Sequence, residues 1–472
     1  MATTTEEVAP AFAQFTAGTT FDSLPDPVVE RVKKSILDVL GVGVYGSDYP
    51  AVKAPLDYVH RHNKGDDASI FCGGGRATAF GAALVNGTYA HTTEFAEGFT
   101  RALVHPGNVV VPAVLAAGER DHRAGQDLLA GVAVSYEILI RLGLSCGLHL
   151  SLDLGLHPPA MLGAFASTAA VARMHQFDEA QMANALGVVA CHTATPLMRA
   201  ADQHATVKDL FQGWTAALGV FATDMSSAGL TGVPDWVTPW YHAVPRKYDL
   251  EPLLDQLGDF WHVSSGGIRI KTRPVMGMAQ PTMQAMAQMV ANKQIDHRDI
   301  EHIKVESSNR IELGRIYHPT DIVSARAGIP FLAAAALVRP EAFRADKYMT
   351  SFLTQEVVDD KDIHALSDKV ELVTNPEFDH NLEYAEVSTD GSPYMKFEAR
   401  VTVTLQDGTV ISEYADMFAL GTGRMSRDEV ADKFRDATKK IIAADRAEKI
   451  IETVWSLDEV DDVSELLALM AP

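Results

Sequence analysis

The chain of 472 residues has only three cysteines, Cys72, Cys146 and Cys191, far apart and without a CxxC pair. That scarcity argues against a disulfide framework, a zinc site built on thiolates and a four-cysteine iron–sulfur cluster. Positive charge is also short: 40 Lys and Arg face 62 Asp and Glu, for a formal net charge of −22. Nucleic acids and anionic membranes both require a basic face, so neither is expected as a partner. A local group of cations can still hold a small anion inside an acidic protein. No apolar run is read as reaching the roughly 18 residues of a membrane span. The acidic start, MATTTEEVAPAF, lacks the basic flank and apolar stretch of a signal peptide, and a cytoplasmic location is expected. Neither GxGxxG after a strand nor GxxxxGK[ST] occurs, so no cofactor is expected. Repeats and low-complexity linkers are absent too.

What is there is mostly helix, and the length favours two domains. VVERVKKSILDVLGVGVYG spaces its apolar residues at three and four, and GQDLLAGVAVSYEILIRLGLSCG is apolar almost all round. PAMLGAFASTAAVARM, AQMANALGVVACHTAT and DLFQGWTAALGVFATDMSSAGLTG are rich in Ala and Gly, which suits closely packed helices. Composition changes at GGIRIKTRPVMG (266–277). IEHIKVESSN and LEYAEVST follow, then KFEARVTVTLQDGTVISEY, whose alternating Phe397, Ala399, Val401, Val403 and Leu405 precede a turn at Asp407-Gly408. Between them VSARAGIPFLAAAALVRP reads as one apolar helix. The expected fold class is mainly α with an α+β lid: a helical bundle over 1–268, an α+β unit over 269–412, and C-terminal helices over 413–472. Ser426 and Glu429 form a capping-box pattern at the start of those last helices, which either cap the sheet or return to the bundle.

Four stretches carry candidate chemistry. In HTTEFAEGFTRALVHPG, His91 and Glu94 share a helix face, and with Glu97 or His105 they offer a weak metal set. A solvated helix end explains the same residues about as well. The Pro106-Gly107 turn directly after His105 favours a rigidly held histidine, suited to acid–base work near neutral pH. GLHPPAMLGAF repeats the device, with His157 ahead of two prolines that fit a helix start; one such histidine alone would read as a cap or core residue. In ATVKDLFQGWTAALG, Lys208 heads a helix against its dipole, at a cost unless an anion binds there, although a snorkelling surface lysine is the commoner case. In GIRIKTRPVMG, Arg269, Lys271 and Arg273 alternate, as a carboxylate clamp or a charged edge strand would. Together these residues describe a pocket for a small polycarboxylate in which a proton is removed beside a carboxylate and cations stabilise the resulting charge.

These stretches, in this order, resemble the MmgE/PrpD family. The likeness is carried by FGAALVNGTYAHTTEFAEGFTRALVHPGNVVVPAVLAAGE, GLHPPAMLGAFASTAAVA, VKDLFQGWTAALGVFATDMSSAGLTG, IRIKTRPVMG, HPTDIVSARAGIPF and VTVTLQDGT, and it covers almost the whole chain. The resemblance implies a helical domain made from both chain ends, a lid domain between them, a homodimer, and work without metal or organic cofactor. It implies a lyase-type enzyme on a small di- or tricarboxylate, of the 2-methylcitrate dehydratase, cis-aconitate decarboxylase or iminodisuccinate epimerase kind. By position it assigns catalysis to His105, His157, Lys208, Lys271 and Glu94. Arg273, Arg326, His91 and Met276 are added as substrate-binding candidates. The chain departs from the family pattern at Ala96, where a second acid is usual, at Gly98, where threonine or valine is usual, and at Met276, where cysteine or histidine is frequent. These departures point to a different substrate within the same chemical class, or to lost activity. Dehydration is the expected reaction, with decarboxylation or epimerisation as alternatives. A metal hydrolase using His91, Glu94 and His105, and a non-catalytic dimer that binds an organic acid, are the alternatives of another class.

Overall fold

The computed structural model describes residues 3–203, 205–265, 267–378, 386–387, 393–394, 397–416 and 425–471. Contacts divide the chain into two compact units, Met1–Ile270 with Ser426–Pro472, and Lys271–Met425.

The first unit is helical. Its central members are α1 (Asp26–Gly46), α2 (Ala79–His91), α3 (Pro106–Arg120), α4 (Gly125–Leu142), α5 (Pro158–Met174) and α6 (Val207–Ser227). Helix α6 packs on α2 and α5, α5 on α3 and α4, and α2 on α3. Small residues make this close nesting possible. A Cβ on Gly87 of α2 would stand 2.8 Å from the Cα of Gly213 in α6, so the two backbones touch. Such contact removes apolar surface from water without long side chains, and every residue of α5 is buried. Helix α4 continues through a π-helical turn, Gly143–Gly147, into Leu148–Leu152. The resulting run, Gly125–Leu152, is long and apolar enough to cross a membrane, which corrects the sequence expectation. Its apolar window is 94% buried inside the protein, as in a core helix.

The second unit is α+β. Helix α7 (Gln280–Asn292) precedes strand β1 (Ile300–Ser307), helix α8 (Ile329–Val338), helix α9 (Lys361–Ser367) and strands β2 (Val370–Thr374), β3 (Glu398–Leu405) and β4 (Val410–Asp416). The sheet order is β4-β3-β1-β2, with β1 parallel to β2 and the other pairs antiparallel. Alternation in β3 buries Ala399, Val401 and Val403, which α7 covers. Pairing of Thr404 with Val410 closes the hairpin around Asp407-Gly408. The expected boundary at 412/413 falls inside β4. LEYAEVST lies outside the described residues except for Glu386–Val387, a short strand.

The expected single helix through VSARAGIPFLAAAALVRP is broken, with Ile322–Ala325 and α8 as separate helices. Pro330 has no N–H, and its ring would clash with the carbonyl four residues back, at Arg326. That carbonyl instead accepts the Met276 N–H at 3.1 Å. After the second unit the chain enters α10 (Arg427–Thr438), whose capping box joins Ser426 and Glu429. This helix packs on α1, so the C-terminal segment returns to the first unit.

Candidate active site

Two local devices build the site in the first unit. His105 and His157 are the residues just before α3 and α5, and each helix opens with proline. Proline presets the first helical turn, so each histidine leaves the helix in a set direction. Helix α3 packs against α5, and a Cβ on Gly163 in the second turn of α5 would lie 3.0 Å from Val109 in the first turn of α3, so the two helix starts are neighbours. His91, the last residue of α2, lies between the two imidazoles. Its ring centroid is 6.5 Å from that of His105 and 6.0 Å from that of His157, and the Phe211 ring of α6 lies 5.5 Å from His157.

Lys208 lies in the first turn of α6 and forms an ion pair with Glu94. Glu94 has φ +55°, a left-handed conformation that costs a non-glycine residue about 1–3 kcal/mol. The turn reverses the chain after α2 and carries the carboxylate to Lys208. The starts of α3, α5 and α6 therefore come together with one ammonium group, and helix starts favour negative charge.

Burial governs the histidines. His91 and His157 are 4% and 5% exposed. Burial, and then the nearby Lys208 charge, hold His157 down to about 3 and His91 well below its ordinary value. Both are neutral at pH 7. Among the described residues, neither His91 Nε2 nor His157 Nδ1 has a hydrogen-bond partner. Buried imidazole nitrogens in that condition gain from a ligand that supplies one.

His105 is oriented differently. Its Nδ1 is 2.8 Å from the main-chain oxygen of Glu97. A carbonyl can only accept, so Nδ1 carries the proton and, in the neutral ring, Nε2 carries the lone pair. The Glu97 carboxylate is itself buried and accepts from Arg31 at 2.7 Å, Ser35 at 2.8 Å and Tyr136 at 2.6 Å. Burial pushes the Glu97 carboxyl up while the Arg31 guanidinium opposes that shift; burial and the same carboxylate push the Tyr136 hydroxyl well up, so it stays a donor. Two residues earlier, the Phe95 carbonyl accepts from Lys433 of α10 at 2.9 Å, and Lys433 also pairs with Asp38 at 2.6 Å.

The sequence offers Glu97 only as a metal ligand. Here it is an anchor, and among the described residues no group of three His, Cys, Asp or Glu side chains is placed to hold a metal ion. A signal for the anchor does exist in the sequence. Arg31, Ser35 and Asp38 form a polar stripe at helical spacing on α1, and all three are buried.

The remaining candidates belong to the second unit or to the chain leading into it. A two-residue ribbon pairs Gly98–Phe99 with Ile268–Arg269 in the first unit. Extended pairing stops at Arg269 and bends follow at 272–275, so Arg269, Lys271 and Arg273 are not successive positions of one strand. In the second unit Arg273 donates to Gln284 at 3.0 Å and lies 6.0 Å from the Phe343 ring centre; burial lowers its guanidinium to about 10, which leaves it charged at pH 7. Met276 and Arg326 meet through the main-chain bond described above. Lys271 is the first residue of that unit. A cavity of about 620 Å³ in the first unit, lined by Asp66, Arg76, Glu119, Arg120 and His122 among others, contains none of the candidates. Its arginines are already paired, Arg76 with Asp66 and Glu119, and Arg120 with Asp121 and Asp224.

A helical unit with paired prolyl-histidine helix starts, joined to an α+β unit, defines the class. Residues 10–241 match the MmgE/PrpD N-terminal domain and residues 274–459 the MmgE/PrpD C-terminal domain. The chain belongs to the MmgE/PrpD family. It is similar to the cis-aconitate decarboxylase of Mus musculus, at 25% identity over 489 residues, covering 98% of this chain and 93% of the relative. The cis-aconitate decarboxylase of Homo sapiens is 25% identical over 488 residues, covering 98% and 95%. A cis-aconitate decarboxylase-like protein of Aspergillus oryzae is 24% identical over 474 residues, covering 95% and 94%.

Proposed function

We propose that the protein is a cofactor-independent lyase acting on a small di- or tricarboxylate. The observation that carries this reading is the meeting of two prolyl-held histidines, His105 and His157, with the Lys208–Glu94 pair at three helix starts. Such a place attracts carboxylates. An anion bound there also favours the protonated form of each imidazole, opposing the effect of Lys208. His105, with its Nε2 lone pair, is assigned the proton transfer to or from carbon. His157 and His91 are assigned hydrogen bonds to the substrate, and His157 becomes the second proton carrier once the anion is bound. Lys208 and the helix starts stabilise the enolate-like charge. Lys271, Arg273, Arg326 and Met276 remain candidates whose part is read by substitution.

Among the family's reactions, decarboxylation now leads. The relatives named above are cis-aconitate decarboxylases, and they lend no support to the dehydratase expectation. In a decarboxylation the C–C bond pair stays on the substrate as a delocalised anion, carbon dioxide leaves, and a histidine protonates the carbon. The test is proton NMR and carbon dioxide release with cis-aconitate and with a panel of hydroxylated di- and tricarboxylates. Carbon dioxide from cis-aconitate is the expected result. Water loss from a hydroxy acid without carbon dioxide would restore dehydration, and no turnover of any member would overturn the lyase reading.

A further inference from the structure

We propose that Gly98, where threonine or valine is usual in the family, is a positioning residue particular to this chain: its missing side chain lets the His105 ring close on the main chain and donate its Nδ1–H to the Glu97 carbonyl, which makes Nε2 the reacting nitrogen. The inference rests on the acid–base part given above to His105.

The argument is steric. A Cβ on residue 98 would lie 2.8 Å from His105 Nδ1 and 3.0 Å from its Cε1, closer than nonbonded carbon and nitrogen approach. Something must move, and the main chain on both sides is held. Phe99 and Val104 exchange main-chain hydrogen bonds, Phe99 N–H to Val104 O at 2.8 Å and the reverse at 3.3 Å, which closes the loop between residue 98 and His105. Gly98 and Phe99 also pair with Arg269 and Ile268. On the other side Glu97 is anchored by Arg31, Ser35 and Tyr136, and Phe95 by Lys433. The imidazole is the part left to turn, and turning takes Nδ1 from its acceptor.

Backbone conformation does not explain the glycine. Gly98 is not among the residues with positive φ, so an L side chain meets no dihedral penalty there. Its effect on the ring is therefore separable from its effect on the fold. The choice of nitrogen matters because the hydrogen bond at one ring nitrogen decides which function the other performs. A misplacement of about 1 Å at a reacting group can cost roughly 100-fold in rate.

The experiment uses the full chain with ¹⁵N-labelled histidine. Long-range proton–nitrogen NMR reads the tautomer of each ring, and a His105→Gln spectrum assigns His105. At a pH where the His105 ring is neutral, the wild type is expected to carry its proton on Nδ1. In Gly98→Ala that proton should move to Nε2 or exchange between the two nitrogens. With a turned-over polycarboxylate, kcat should fall roughly 10–100-fold, with KM changed less than about threefold. A wild-type His105 protonated on Nε2 overturns the proposal before any variant is made. A Gly98→Ala protein that keeps the Nδ1 proton overturns it as well. If the tautomers behave as expected and no polycarboxylate is turned over, the positioning holds and the lyase reading is what fails.

Discussion

The two units bury charge with different partners. In the first, ions go inside in pairs, Arg31 with Glu97 and Lys433 with Asp38, and Lys208 pairs with Glu94 half-buried. In the second, the covered face of the sheet is Ile303, Val305, Val401 and Val403, the buried Arg273 donates to the neutral Gln284, and the Arg315–Glu312 pair stands in solvent. A buried pair gains little net stability against an apolar substitute but makes the loss of either partner expensive. Its use is to hold one arrangement. In the first unit the arrangement held is the turn from Glu94 to His105, gripped by α1, α4 and α10. In the sheet of the second unit, apolar alternation sets strand register.

Substitutions can break this contrast, beginning with the strongest. His157→Gln should lower turnover of the active polycarboxylate by about 10²–10⁴-fold with little change in melting temperature, read by steady-state rates and thermal denaturation. Full activity would remove His157 from the mechanism. Lys433→Met leaves Asp38 buried without its cation and the Phe95 carbonyl without its donor, so urea unfolding should show a loss of about 3–5 kcal/mol. A loss under about 1 kcal/mol would mean that the pair is not an anchor.

Acid sharpens the contrast further. His157 is held down to about 3 in the folded protein by burial and by Lys208, against an ordinary value of 6.5. Between those values the unfolded chain takes up the proton and the folded one does not. The contribution is thus complete above about pH 6.5 and is lost as pH falls toward 3. His91 acts in the same direction. Urea unfolding of the wild type should weaken more between pH 7 and pH 4.5 than that of His157→Gln, and equal slopes would contradict the burial argument. At the small end, Arg315→Ala breaks a solvent-exposed pair and should cost under about 1 kcal/mol by the same urea assay.

Much of this was legible from local pattern. Helices α1, α4, α5 and α6 follow from spacing and small residues, and the β3–β4 hairpin from alternation ahead of Asp-Gly. His105 and His157 were visible because the proline after each is a local event. Glu97 was visible only as an acid, since its use depends on Arg31 and Tyr136, distant in sequence. The break before α8 could have been anticipated from Pro330, but the partner of the freed Arg326 carbonyl could not.

By itself, then, the sequence determined which segments coil, which alternate, and where a histidine is pinned by the ring that follows it. Those outcomes depend on neighbours within a few positions, whose sterics act in any context. Only the tertiary structure decided that the stripe on α1 meets Glu97, that Lys433 reaches back to Phe95, and that Gly98 faces an imidazole. Such pairings depend on which buried polar groups find each other when water is removed, and one-dimensional spacing does not contain that information.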